Sequence, residues 1–226
     1  MPQPIPEQIV ALFKERVVEE SLSKVRISQL IADLGINRNT FYYHFESKFD
    51  VALQIYRRDL ARELRKTVPE EQLVSGPIGK VKSGAPSICL PYYARIEIGF
   101  HALDEGPFLK ALARTIESNK PFYAKLFDEK EYEFNFQFCS LYYPQVKKDL
   151  EFVLGARYLS PEAKRFLSQL GTGQIMQIAH LLTTSNDVDK LLDERVNPFW
   201  NFYQEGIQAS IRKHPLNRIT SSTRRH

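Results

Sequence analysis

The sequence predicts an all-α protein, and three observations predict it. Apolar residues recur at three- and four-residue spacing through most of its 226 residues. Helix-start signals stand where those patterns begin: Asn37, Ser160-Pro161 and Asn197-Pro198. The one stretch that alternates as a strand does, Tyr132, Phe134, Phe136 and Phe138, has no evident partner strand, and Phe134, Phe138 and Leu141 also fit one helical face.

The first helix is expected over 7–20, just after Pro4 and Pro6, with Ile9, Leu12, Phe13 and Val17 on its apolar face. Ile27, Leu30, Ile31 and Leu34 form a second, short helix that stops at Gly35, a residue suited to the left-handed conformation past a helix end. Asn37 then caps a third helix, Arg38 to Phe45. Ser47 with Asp50 signals a fourth, whose buried face is Leu53, Tyr56, Leu60 and Leu64. Prolines and glycines between 67 and 91 break any helix and read as a linker or long loop. Further helices are expected over 92–105, 107–119, 121–127, 131–154, 161–183 and 198–213, followed by a basic, flexible tail over 214–226.

Composition excludes several classes. With 43% apolar and 26% charged residues, the chain can build a core and is neither collagen-like nor wholly disordered. It has no run long enough to span a membrane, and its amino terminus lacks the basic start and apolar stretch of a secretion signal. Cys89 and Cys139 make neither a disulfide framework nor a metal-ligand set. No glycine-rich phosphate loop, paired Glu-x-x-His motif or nucleophile elbow is present, so neither catalytic residues nor a metal or cofactor are expected. Residues 1–66 carry +2, residues 67–211 carry −3 and residues 212–226 carry +5. Overall charge alone does not identify a nucleic-acid binder here.

A local motif does more. In KVRISQLIADLGINRNTFYYHFESKFDVAL, residues 24–53, two short helices meet at a glycine turn, with Ile27, Ile31, Leu34, Ile36 and Phe41 placed to pack them together. That packing projects the start of the third helix, and an α-helix fits the DNA major groove with its amino-terminal residues nearest the base edges. Ile31-Ala32, Leu34-Gly35-Ile36, Asn37, Thr40-Phe41-Tyr42-Tyr43-His44-Phe45, Lys48 and Leu53 together resemble the DNA-binding domain of the tetracycline-repressor family of bacterial transcription regulators. The match runs over about residues 7–65. Two positions depart from the family pattern: Arg26 stands where a Thr usually begins the second helix, and Asn37 replaces a Ser.

The resemblance implies a helix-turn-helix DNA-binding domain over 1–66, joined by its fourth helix to a larger helical ligand-binding and dimerisation domain over 92–213. It implies that Arg38, Asn39, Thr40, Tyr43 and His44 face bases, with Asn37 capping their helix. Tyr42 and Lys48 would hold the phosphate backbone, and Arg26 and Ser28 would reach it from the second helix. It further implies a cytoplasmic homodimer, paired through its last two long helices, that binds a palindromic operator on double-stranded DNA, as a repressor, and leaves it when a small molecule binds. Phe199, Tyr203, Ile207 and Ile211 give the final helix a stripe for a partner helix, or for its own chain. Residues 92–143 hold 13 of the 27 aromatic residues, and the candidate pocket drawn from this region and the helix after it is Phe100, His101, Tyr123, Phe134, Phe138, Tyr142, Gln177 and His180. The competing expectation is a helical small-molecule-binding protein or enzyme without specific DNA binding.

Overall fold

The computed structural model describes residues 3–79, 88–155 and 157–212, and the expected tail over 214–226 lies outside them. The fold is all-α with a few short strands. Four helices come first: α1 (Ile5–Glu20), α2 (Ile27–Asp33), α3 (Arg38–His44) and α4 (Lys48–Thr67). Their starts and stops follow local chemistry. Gly35 takes φ +62° after α2, and Asn37 Oδ1 accepts the Thr40 N–H at 2.8 Å to cap α3. Ser47 Oγ accepts the Asp50 N–H at 3.1 Å to cap α4, while Asp50 accepts the Glu46 N–H. Arg26 precedes α2 with no side-chain cap bond, as expected of a residue that cannot accept one.

α4 is the central beam. Val51, Ala52, Ile55, Tyr56, Leu60 and Leu64 are all buried along it, each a contribution of about 1.5–3 kcal/mol for a full-sized side chain. The later helices pack around it: α5 (Gly106–Ser118), α6 (Lys120–Leu126), α7 (Tyr132–Leu154) and α8 (Pro161–Thr184), then α9 (Val188–Leu191), a π-helical turn (Leu192–Val196) and α10 (Asn197–Arg212). The stretch that alternates around Phe134 and Phe138 is helical, with both rings fully buried on one face of α7. Ser160 caps α8 through the Ala163 N–H, with Pro161 in the first turn. One apolar core runs from Ile9 and Phe13 in α1 to Trp200 in α10.

Two expectations are corrected. The stretch 67–91 contains a 3₁₀ turn (Glu70–Gln72) and a strand, β1 (Leu73–Pro77); residues 80–87 lie outside the described residues. The stretch 92–105 is not a helix. It holds the end of β2 (Cys89–Ala94), then β3 (Glu97–Gly99) and β4 (Ala102–Leu103). β1 and β2 pair antiparallel, Leu73 opposite Ala94 and Pro77 opposite Cys89, and β3 pairs with β4.

The physical reason is non-local. Arg57 of α4 donates to the carbonyls of Gly76 (3.0 Å), Pro77 (3.1 Å) and Leu90 (2.9 Å), fastening the hairpin across the beam. Tyr93 points inward, its hydroxyl donating to Asp149 at 2.7 Å and its ring 4.7 Å from Phe108. Tyr92 lies under the Arg57 guanidinium and accepts from Gln145 at 2.6 Å. Alternation of two aromatic side chains between such partners is strand behaviour that neighbouring sequence cannot announce.

Candidate nucleic-acid interface and neighbouring cavity

Phe41 and Phe45 fix α3 to the body, with 0% and 1% of their surface exposed. The opposite side of α3 is therefore the outer one. Arg38, Asn39 and Tyr43 are exposed there, Tyr43 at 58%, while Thr40, Tyr42 and His44 are half-buried along the same ridge. Arg26, Ser28 and Asn37 are exposed beside it. The structure thus brings the residues expected to meet DNA together around the turn between α2 and α3.

Side-chain contacts refine their roles. The Thr40 hydroxyl donates to Asn37 Oδ1 at 3.0 Å, so its proton is used within the helix cap, leaving lone pairs and a methyl group outward. The Arg38 guanidinium lies 5.4 Å from the Tyr42 ring, a cation–π contact that holds the arginine over α3. Tyr43 and His44 meet edge to face at 4.9 Å. Neither Arg26 nor Arg38 forms an ion pair with a described residue. Arg16 braces α1 against α2 through Asp33 at 2.9 Å.

Lys48 has an internal role that sequence reading missed. Its ammonium donates to the carbonyls of Ser23 (2.7 Å) and Val25 (3.2 Å), in the turn before α2. Burial lowers its pKa, against the opposing pull of Glu131. Glu131, 4% exposed just ahead of α7, accepts the N–H of Ser23 at 2.9 Å. The turn that leads into α2 is thereby held from two sides, by α4 and by the approach to α7.

Four of the eight candidate pocket residues come together as packed core, and the other four lie apart from them. Tyr123, Phe134, Phe138 and Tyr142 are fully buried in a continuous aromatic core; Phe138 stands 5.0 Å from Tyr142 and 5.3 Å from Tyr56. Tyr142 shares a hydroxyl hydrogen bond with Tyr56, and Tyr123 donates to Asp59 at 2.7 Å. Phe100 is 93% exposed at the β3–β4 turn. His101, at φ +60°, is tied to the Phe152 carbonyl at 2.6 Å. Gln177 is exposed on α8, and His180 is tied to the Phe127 carbonyl at 3.1 Å. These rings fill the interior rather than enclosing space.

A cavity of about 50 Å³ lies elsewhere, between α7, α10 and the residues leading into α5. Its aliphatic side is Leu103, Val146, Leu150, Val153 and Ile207; Tyr93, Glu105, Asp149, Trp200, Tyr203 and Gln204 supply rings and polar groups. Burial pushes the Glu105 carboxyl up to about 7, although Trp200 and Gln204 favour its charged form. Burial also raises Asp149, with the Tyr93 hydroxyl and Arg95 opposing. Nothing in the local sequence around Glu105 marks it, because Trp200 and Gln204 reach it from almost a hundred residues away.

The stripe expected on α10 is corrected in part. Tyr203 donates to the Leu167 carbonyl at 2.9 Å, and Ile207 packs against the cluster of Leu150, Leu154 and Leu159, so both face their own chain. The side chains of Phe199 and Ile211 lie outside the described residues.

Among the described residues, no helix is long and apolar enough to cross a membrane, and no three metal-ligating side chains converge. A solved structure, the dihydroxyacetone kinase operon activator DhaS, superposes with a TM-score of 0.44 at 17% sequence identity, covering 88% of this chain and 96% of that chain. No family model and no curated protein matches the sequence.

Proposed function

We propose that this chain is a homodimeric DNA-binding transcription regulator, a repressor released from a palindromic operator by a small molecule. One observation carries the reading. Phe41 and Phe45 anchor α3 from behind while Arg38, Asn39 and Tyr43 stand exposed at its front. A helix presented this way enters the major groove, where the Arg38 guanidinium pairs bidentately with guanine, discriminating by about 1–3 kcal/mol. Arg26 and Ser28 then lie on the phosphate side of the groove, and Tyr42 holds Arg38 in line.

Dimerisation presents the second recognition helix to the matching half-site. On α8, Phe166 is 63% and Leu170 45% exposed, and Gly173 and Gln177 continue the same face. Gly173 has open space around it, so a partner helix approaches closely there. This face of α8, rather than Tyr203 and Ile207 of α10, supports pairing.

Effector binding acts through the clamped turn, since Glu131 belongs to the approach to α7, the helix that walls the cavity. The effector shifts the balance between DNA-competent and incompetent dimers only by its unequal affinity for them. The test is selection of duplex DNA from a random pool by the purified protein, with light scattering of the free protein. A selected palindrome and a dimer are expected. A monomer that selects nothing overturns the reading in favour of a helical small-molecule-binding protein.

A further inference from the structure

We propose that the cavity between α7 and α10 takes a small organic cation, an ammonium group on an apolar body, with Glu105 as its counter-ion and the rings of Trp200 and Tyr203 beside it. The inference rests on the ligand-responsive reading above, whose effector it assigns to a chemical class.

The cavity holds two carboxyl groups, and among the described residues only one of them has a cation beside it. Asp149 accepts the Tyr93 hydroxyl at 2.7 Å and has Arg95 3.7 Å away. Glu105, 9% exposed, has the Gln204 amide and the Trp200 indole beside it but no cation among the described residues. An unpaired carboxylate in an apolar wall is costly, and a ligand that brings positive charge removes that cost. An anion meets two acids there, and a neutral molecule leaves Glu105 as it was.

The remaining groups select an organic cation over a metal ion. Trp200 and Tyr203 stand 5.7 Å apart at 50°, two sides of a corner, and aromatic rings attract ammonium groups through their faces. The Tyr203 hydroxyl is engaged with Leu167, so the ring is what it offers. The Trp200 indole reaches the Glu105 carboxyl and favours its charged form, which is the form a cation pairs with. About 50 Å³ admits roughly three to five waters, and so a group the size of trimethylammonium.

Trp200 is the chain's only tryptophan, which makes its fluorescence a reporter for this cavity. The experiment titrates the full-length protein, without DNA, with choline and with its uncharged carbon isostere 3,3-dimethylbutan-1-ol. Choline is expected to give a saturable change, at least about tenfold tighter than the isostere. Glu105→Gln, checked for native helicity, is expected to remove that preference. Equal affinity for the two probes, no saturable change with either, or a preference that survives Glu105→Gln overturns the inference. The comparison of probes stands on the native protein alone if the variant does not fold. A gel shift separates the two readings. Cation binding that leaves operator binding untouched keeps this site and removes the ligand response, whereas operator binding without cation binding removes this inference alone.

Discussion

The carboxylate of Glu131 accepts the backbone N–H of Ser23 at 2.9 Å, joining residues 108 positions apart in the chain. Lys48 grips the same turn through the carbonyls of Ser23 and Val25. The turn before α2 therefore depends on two side chains outside the α2–α3 pair, and a change at either is expected to reach the proposed DNA-facing ridge.

Lys48→Met tests that dependence. It leaves two carbonyls without their donor, and a loss of about 1–3 kcal/mol in urea denaturation is expected before any DNA is added. A lysine that only touched phosphate would leave the stability of the free protein unchanged.

Arg26→Ser tests the uncapped start of α2. Arg26 has the extended backbone of a cap residue, φ −110° and ψ 126°, but no side-chain acceptor. Serine supplies one, and thermal denaturation is expected to show a gain of about 0.5–1 kcal/mol. Operator affinity is expected to fall at the same time, because a phosphate-facing charge is lost. A variant that gains stability and keeps full affinity would remove Arg26 from the interface.

Phe138→Ala distinguishes core from pocket wall. The ring is fully buried among Tyr56, Phe127, Phe134 and Tyr142. Its removal is expected to cost about 3–5 kcal/mol of stability. A ring lining an effector pocket would instead change effector affinity with a much smaller loss.

The pH dependence of stability follows from Glu105, whose carboxyl is pushed up to about 7 in the fold from an ordinary 4.5. Tyr93, Asp149 and Tyr203 are the titratable groups that line its cavity, and burial raises Asp149 as well. Between those two pH values the native chain holds more protons than the unfolded chain, so stability falls as pH rises through this window and levels off above about 7. The contribution of Glu105 is about 3 kcal/mol at most. Melting temperatures from pH 4.5 to 8 are expected to fall less steeply for Glu105→Gln than for the native protein. Parallel curves would remove Glu105 as the source.

What the sequence reveals is what neighbours in the chain decide. Asn37, Ser47 and Ser160 cap the helices their spacing predicts, and Phe41 and Phe45 are buried while Tyr43 is not. What it hides depends on distant partners. Tyr92 and Tyr93 are strand residues because Arg57, Gln145 and Asp149 receive them. Aromatic density between 92 and 143 announces a large interior but does not tell filled space from open space. One small cavity lies where Glu105 meets α10, a pairing with no local signature.

Whether the exposed front of α3 reads base pairs is decided by an operator titration with Arg38→Ala at several salt concentrations. Affinity for the selected palindrome is expected to drop by about tenfold or more while binding to unrelated DNA changes little, so that sequence preference flattens. Unchanged preference in a stably folded Arg38→Ala protein would contradict base reading by α3.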